Sequence, residues 1–152
     1  MREILFRAKR KDNGEWAEGY LFDDGFSEPK HYFVGRIVIE PYIGTADDDW
    51  DITGIDFCEI APETLCQYTG LTDKNGKSIW ENDIVSVNTY SYMEPEEDYF
   101  GKVVYAEGCA CWCMQQPDDE KPIPLCECEG SYQTDRFVEG NTFDNPELLK
   151  GE

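Results

Sequence analysis

Residues 62–85 read PETLCQYTGLTDKNGKSIWENDIV, and three features of this stretch predict its structure. The pair Asn75-Gly76 tolerates the positive φ angles of a tight turn. Leu71 and Ile79 flank that turn and can face a core. Asp83 can accept hydrogen bonds from backbone amides at the start of a strand. The stretch therefore predicts a hairpin that leads directly into a longer strand.

Alternating apolar and polar residues dominate the rest of the chain, and sustained helical periodicity is scarce. A second Asn-Gly pair, at residues 13–14, predicts another hairpin. Many short strands separated by turn signals are typical of a small barrel or sandwich. We therefore expect a mainly β fold of short antiparallel strands with little helix. An N-terminal strand region, residues 1–60, would precede a small C-terminal barrel, residues 61–152, or the two would form one continuous domain.

The same stretch resembles a segment of the YopX-like small proteins of bacteriophages and prophages. Relative to that family's pattern, Cys66 and Asn82 each stand in place of a glycine, and Trp80 stands in place of a tyrosine. The opening MREILFRA and the closing FVEGNTFDNPELL are also similar to the ends of the family's proteins. The resemblance implies a mainly β fold with a small, SH3-like barrel in the C-terminal half, and it is compatible with oligomers. It implies no particular activity.

The formal net charge is −20, from 33 acidic and 13 basic residues. The first eleven residues hold five basic side chains and one acidic one, so they carry +4 and the remainder carries −24. Such a surface repels phosphate backbones, so we do not expect direct binding of nucleic acid. The charge could serve solubility alone, or it could imitate nucleic acid and occupy a basic groove on a partner. The densest acidic runs are Asp47 to Asp51, Glu94 to Asp98 and Asp118 to Glu120.

Three features of the sequence bear on location. No segment approaches the roughly 20 apolar residues that a membrane-spanning helix needs. The N-terminal segment has too short an apolar stretch, and no small-residue cleavage site, for a secretory signal. The seven cysteines are an odd number, which argues against a secreted disulfide framework. We therefore expect reduced thiols and a location in the bacterial cytoplasm.

Five of the cysteines are closely spaced in the C-terminal half. Cys109, Cys111 and Cys113 occupy alternate positions, which predicts three thiols on one face of a strand. Cys126 and Cys128 repeat that spacing after a loop. If the two strands pair, Cys111, Cys113, Cys126 and Cys128 could bind one zinc ion. Otherwise the thiols line a buried strand as small apolar groups, with no cofactor, or they form redox disulfides.

Three aromatic residues in or near the opening stretch are candidates for ligand binding. Tyr68, Trp80 and Tyr90 would form a stacking platform for a planar ligand if they were exposed, and otherwise they pack in a core or an interface. The single histidine, His31, stands in a predicted loop without the sequence patterns of nucleophilic or metal-dependent hydrolases. We therefore expect no enzymatic activity.

Together with the resemblance, which implies a phage or prophage origin, these features predict a non-enzymatic accessory protein. The first hypothesis is that it binds a host protein in the cytoplasm, as an acidic mimic of nucleic acid or in a counter-defence role. The second is that it binds a small nucleotide signal through the aromatic residues. The third is that it takes part in virion assembly.

Overall fold

A computed structural model of the chain describes residues 3–25, 28–41, 50–90, 96–119, 121–125 and 133–150. Their regular structure is almost entirely β, which confirms the predicted fold class. The helical segments within these ranges are three short 3-10 turns, Pro62–Thr64, Glu107–Cys109 and Pro146–Leu149. None of the helices in this part of the chain is long and apolar enough to cross a membrane.

The chain divides into two compact units, and the first comprises Glu3–Gln67. This N-terminal unit contains four consecutive antiparallel strands, β1 (Phe6–Lys9), β2 (Trp16–Asp23), β3 (Tyr32–Pro41) and β4 (Trp50–Glu59). Their order in the sheet is β4-β3-β2-β1, so β4 lies at an edge. Gly14, in the turn between β1 and β2, has a φ of 72°, as the Asn-Gly pair predicted. The core of this unit is formed by Ala8, Val34 and Ile60, all fully buried.

The fifth strand, β5 (Cys66–Thr72), runs across the boundary between the two units. Its first residues pair with β1, where Arg7 lies opposite Cys66. Its later residues pair with β6 (Ser78–Trp80). The boundary between the compact units therefore falls inside a strand.

The second unit begins at Tyr68 and contains a five-stranded antiparallel sheet. Its strands are β7 (Asp83–Tyr90), β8 (Glu97–Ala106), β9 (Cys111–Gln115), β10 (Ile123–Pro124) and β11 (Gln133–Asn141). The order is β10-β9-β8-β7-β11, and within the described ranges no pairing joins the two outer strands. The SH3-like closed barrel implied by the resemblance is therefore not what these residues form. Instead, Leu71 and Ile79 of the β5–β6 hairpin pack on the sheet against Val85, Val103 and Met114, a sandwich-like arrangement.

Residues 62–85 form the elements that their sequence predicted. Gly76 has a φ of 80° in the turn between β5 and β6, and Ile79 is fully buried. Asp83 begins β7, and its Oδ2 accepts a hydrogen bond from the Trp80 N–H at 2.8 Å. Because this carboxylate is almost completely buried, the backbone amide replaces water as its donor.

A second buried carboxylate, that of Asp73, holds the β5–β6 turn against β11. Its Oδ1 accepts hydrogen bonds from the N–H groups of Asn75 and Lys77, at 2.9 and 2.8 Å. Its Oδ2 accepts one from the N–H of Val138, at 3.2 Å and 65 residues away in the sequence. Burial raises the pKa of Asp73, but the backbone donors outweigh burial and hold the pKa below its ordinary value. The ionised side chain thus joins two distant segments of the C-terminal unit.

Replacing Asp73 with asparagine is expected to destabilise the C-terminal unit by about 1.5–3 kcal/mol at neutral pH, as for other hydrogen bonds to charged groups. Asparagine keeps one acceptor oxygen but places an NH₂ group opposite one of the backbone donors. Since the folded pKa lies below the unfolded one, the carboxylate stabilises the fold above the unfolded pKa. That contribution is lost as the pH falls through the folded pKa, so the variant and the wild type should converge in acid.

Urea unfolding at neutral and acidic pH, followed by tryptophan fluorescence, measures this difference in the free energy of unfolding. Asp118→Asn makes the same chemical change at an exposed position of the same unit and should have little effect. Equal stability of Asp73→Asn and the wild type at neutral pH would contradict the role assigned to the carboxylate.

Candidate functional site

One face of the N-terminal sheet carries large apolar side chains. Successive side chains of a strand point to opposite faces, and residues opposite each other on neighbouring strands share a face. The register places Tyr20 and Phe57 on the same face, across a central glycine, and places Ile37 opposite Ile55. Phe22 lies on this face too, with its ring centroid 5.5 Å from that of Phe57. We call Tyr20, Phe22, Ile37, Ile55 and Phe57 the apolar face.

The apolar face is exposed, whereas the other side of the same strands holds the core of the unit. Its residues keep between 42% (Phe22) and 58% (Ile55) of their surface accessible to solvent. On the other side, Val34 of β3 is buried. Contiguous exposed apolar side chains of this kind mark interaction surfaces more often than isolated ones do.

The central glycine of the apolar face is Gly35, and it is required by close packing of the strands. A Cβ atom at this position would lie 2.1 Å from the backbone oxygen of Asp56. Since a side chain cannot be accommodated, the row between Tyr20 and Phe57 carries none. The apolar face therefore consists of side chains around a bare stretch of backbone.

The strand β4 gives the apolar face an open edge. Among the described residues it pairs as a strand with β3 alone, and it carries both Ile55 and Phe57. Edge strands present backbone N–H and C=O groups that a strand of another protein can pair with. Apolar side chains and backbone groups are thus available along the same strand.

The single histidine lies just before β3, in a cluster of charges around Glu59, the last residue of β4. His31 Nδ1 is 2.7 Å from Oε1 of Glu59, and Lys11 Nζ is 2.7 Å from the same oxygen. The hydrogen bond from Lys11, followed by that from His31, holds the pKa of Glu59 below its ordinary value. His31 therefore belongs to an exposed cluster of charged side chains, and its hydrogen-bond partner is a carboxylate rather than a nucleophile.

The structure brings two of the three candidate aromatic residues together. Tyr68 lies opposite Trp80, with ring centroids 5.2 Å apart. Trp80 is only 5% exposed, so its ring is packed and does not present a face to solvent. Tyr90 ends β7, about 23 Å along that strand from its start beside Trp80. The predicted platform is therefore divided, and its central member is buried.

The thiols of Cys109, Cys111 and Cys113 converge on one another and form what we call the thiol cluster. The Sγ atoms of Cys109 and Cys111 are 3.2 Å apart, and those of Cys111 and Cys113 are 3.5 Å apart. All three sulfur atoms lie within 4.8 Å of one another. Exposure decreases from Cys109, which is exposed, to Cys113, which is buried. The cluster therefore extends from the surface into the C-terminal unit.

Strand alternation accounts for Cys111 and Cys113, which are alternate residues of β9, but not for Cys109. β9 begins at Cys111, whereas Cys109 belongs to the preceding 3-10 turn. Ala110 between them has a φ of 51°, a left-handed conformation that redirects the chain. The prediction of three thiols on one strand face is therefore wrong for Cys109. Of the predicted zinc ligands, Cys111 and Cys113 lie in the cluster, and Cys126 and Cys128 lie outside the described residues.

The thiols of the cluster differ in their acid–base properties. Burial raises the pKa of Cys113 to about 12, and its contacts with the thiols of Cys111 and Cys109 act in the same direction. Little thiolate is therefore present at Cys113 at neutral pH in the reduced protein.

A model of the family described as YopX protein matches residues 5–150, nearly the whole sequence. The chain belongs to the YopX protein family. This match confirms the resemblance of residues 62–85 and of both chain ends.

One solved structure similar to this YopX family member is the crystal structure of protein EF1440 from Enterococcus faecalis. The two chains are 24% identical, with a TM-score of 0.54, and the alignment covers 98% of this chain and 99% of that one. The likeness shows a shared fold. No curated protein matches the YopX family member.

In the reduced, metal-free YopX family member, Cys109 is expected to react with iodoacetamide well before Cys113. Cys109 is exposed, whereas Cys113 is buried and its pKa is raised to about 12. Timed alkylation near neutral pH, followed by peptide mass spectrometry, gives the order. Equal rates in the folded protein would contradict the described burial, and equal rates in urea provide the control.

Proposed function

We propose that this protein acts by binding another protein through the apolar face of its N-terminal unit. The observation that carries the proposal is the exposure of five large apolar side chains on one side of β2, β3 and β4. An antiparallel sheet that exposes one side to water usually carries polar side chains there, so an apolar exposed side is typical of an interaction surface. A bound partner would bury this exposed side of the sheet.

The apolar face alone supports only moderate affinity. Fully burying one such side chain contributes about 1.5–3 kcal/mol, and roughly half of each is already buried, so covering all five contributes about 4–7 kcal/mol. The loss of translational and rotational freedom on association costs at least about 4 kcal/mol. A specific complex therefore needs additional contacts, for which the β4 edge and surrounding charged residues are available.

The charge of the chain favours a partner with a basic surface. The net charge is −20, and charge complementarity increases the association rate and orients the two proteins. Parts of the acidic runs, such as Glu97 and Asp98 on β8, are exposed in the described residues. On this proposal the partner is a bacterial host protein, such as one whose basic groove normally holds nucleic acid. The chain would then be a non-enzymatic accessory protein of a phage or prophage, acting in the bacterial cytoplasm.

The alternative of a nucleotide-binding aromatic pocket has less support. Trp80 is buried and Tyr90 is distant from it, so the three residues do not form one open site. The proposed binding site is therefore the apolar face and not these aromatic residues.

Substituting Ile55→Ser and Phe57→Ser together is expected to abolish capture of the partner from lysate of the bacterium that carries the gene. The change removes the apolar contribution of β4, while both positions are exposed and tolerate serine without a loss of core packing. Val38→Ser is the matched control, because Val38 is also an exposed apolar residue of the same sheet but points to the opposite side from Ile37. It should leave capture unchanged.

Pull-down at low and high salt measures capture of the partner, and light scattering of the purified chain measures its oligomeric state. Capture should weaken as salt increases, because charges assist association. Capture that is the same for the double variant and the wild type would overturn the proposal. So would a homo-oligomer that the double variant dissociates, since a second copy would then cover the apolar face.

A further inference from the structure

We propose that the thiol cluster is a zinc site whose protein ligands are Cys109, Cys111 and Cys113. This inference does not depend on the proposed protein-binding role, because the thiol cluster lies in the C-terminal unit and the apolar face lies in the N-terminal unit. The three ligands also differ from the zinc ligands predicted from sequence, which included Cys126 and Cys128 and omitted Cys109.

The spacing of the sulfur atoms suits one tetrahedral ion. Zinc–thiolate bonds of about 2.3 Å at tetrahedral angles separate neighbouring sulfur atoms by about 3.8 Å. In the structure the sulfur atoms of Cys109 and Cys111 are 3.2 Å apart, those of Cys111 and Cys113 are 3.5 Å apart, and all three lie within 4.8 Å of one another. Small side-chain rotations would therefore bring all three to bonding distance of one ion.

The backbone holds these ligands close together. Cys113 is buried within β9, between Val104 of β8 and Pro124 of β10. Cys109 is positioned by the 3-10 turn, in which the Ala110 N–H donates to the Glu107 oxygen at 3.3 Å. The left-handed Ala110 then returns the chain toward β9. A site built on regular elements in this way requires little reorganisation on binding.

The chemistry of the site favours zinc among thiophilic ions. Thiolate ligands select zinc and monovalent copper over harder cations. A divalent ion offsets two of the three thiolate charges and a monovalent one offsets only one, which matters in a chain of net charge −20. Three protein ligands leave the fourth tetrahedral position to water or to another ligand, an arrangement found at zinc sites that exchange ligands.

Titration of the reduced full chain with Co²⁺, and then displacement by Zn²⁺, tests the site. Wild type should bind one ion per chain, with an absorption band from thiolate-to-cobalt charge transfer. Cys109→Ser should weaken Zn²⁺ binding by more than the roughly 10–100-fold that the loss of an outer-shell partner costs. Because Cys109 is exposed, this variant should keep its fold, which circular dichroism verifies.

Two further variants distinguish the thiol cluster from other thiols. Cys58→Ser removes a thiol of the N-terminal unit and should leave Zn²⁺ affinity unchanged. The double variant Cys126→Ser and Cys128→Ser should also retain affinity. Full affinity in Cys109→Ser, or loss of affinity in the double variant, would overturn the proposal in favour of the set predicted from sequence. Absence of stoichiometric binding in the wild type would overturn it outright.

X-ray absorption at the zinc edge gives an independent count of ligands. Three sulfur neighbours and one oxygen or nitrogen neighbour are expected, and four sulfur neighbours would contradict the assignment. Capture of a protein partner in the zinc-free Cys109→Ser variant separates this proposal from the protein-binding one, since the apolar face is unaltered there.

Discussion

The carboxylate of Asp73 is the interaction on which the geometry of the C-terminal unit depends. It accepts hydrogen bonds from two amides of the β5–β6 turn and from Val138 of β11, so it fixes the hairpin against the five-stranded sheet. Burying the carboxylate without these donors would destabilise the folded state. Burying the amide donors without an acceptor would destabilise it as well. The hairpin in turn places Ile79 in the core.

Two further polar residues of 62–85, the stretch that identifies the family, also hydrogen-bond to backbone groups. Asp83 accepts a hydrogen bond from the Trp80 N–H. Thr69 Oγ1 donates to the Ile79 oxygen at 2.7 Å and accepts from the Leu71 N–H at 3.1 Å. These side chains stabilise the fold, and Trp80 packs inside it. The features that suggest binding, the apolar face and the thiol cluster, lie outside this stretch.

Local rules predicted the fold better than they predicted the sites. The Asn75-Gly76 turn, the core position of Ile79 and the capping role of Asp83 were predictable, because each depends on a few neighbouring residues. The exposure of Ile55 and Phe57 was not, because a strand pattern shows which residues share a side but not which side is covered. The sequence of β3 did hold a signal, because it is apolar on both sides. Phe33 and Ile37 lie on one side and Val34 lies on the other. The inclusion of Cys109 in the thiol cluster depends on the left-handed Ala110, which no strand pattern indicates.

A photo-crosslinking amino acid placed at Phe57, in cells of the bacterium that carries the gene, tests the central claim most directly. The claim is that the apolar face contacts another protein, so the account predicts a covalent adduct heavier than the chain by the mass of a partner. The same amino acid at Tyr105, an exposed aromatic position of the C-terminal unit, should give little or none. Adducts from Tyr105 and none from Phe57, or adducts of Phe57 with a second copy of this chain alone, would contradict the account.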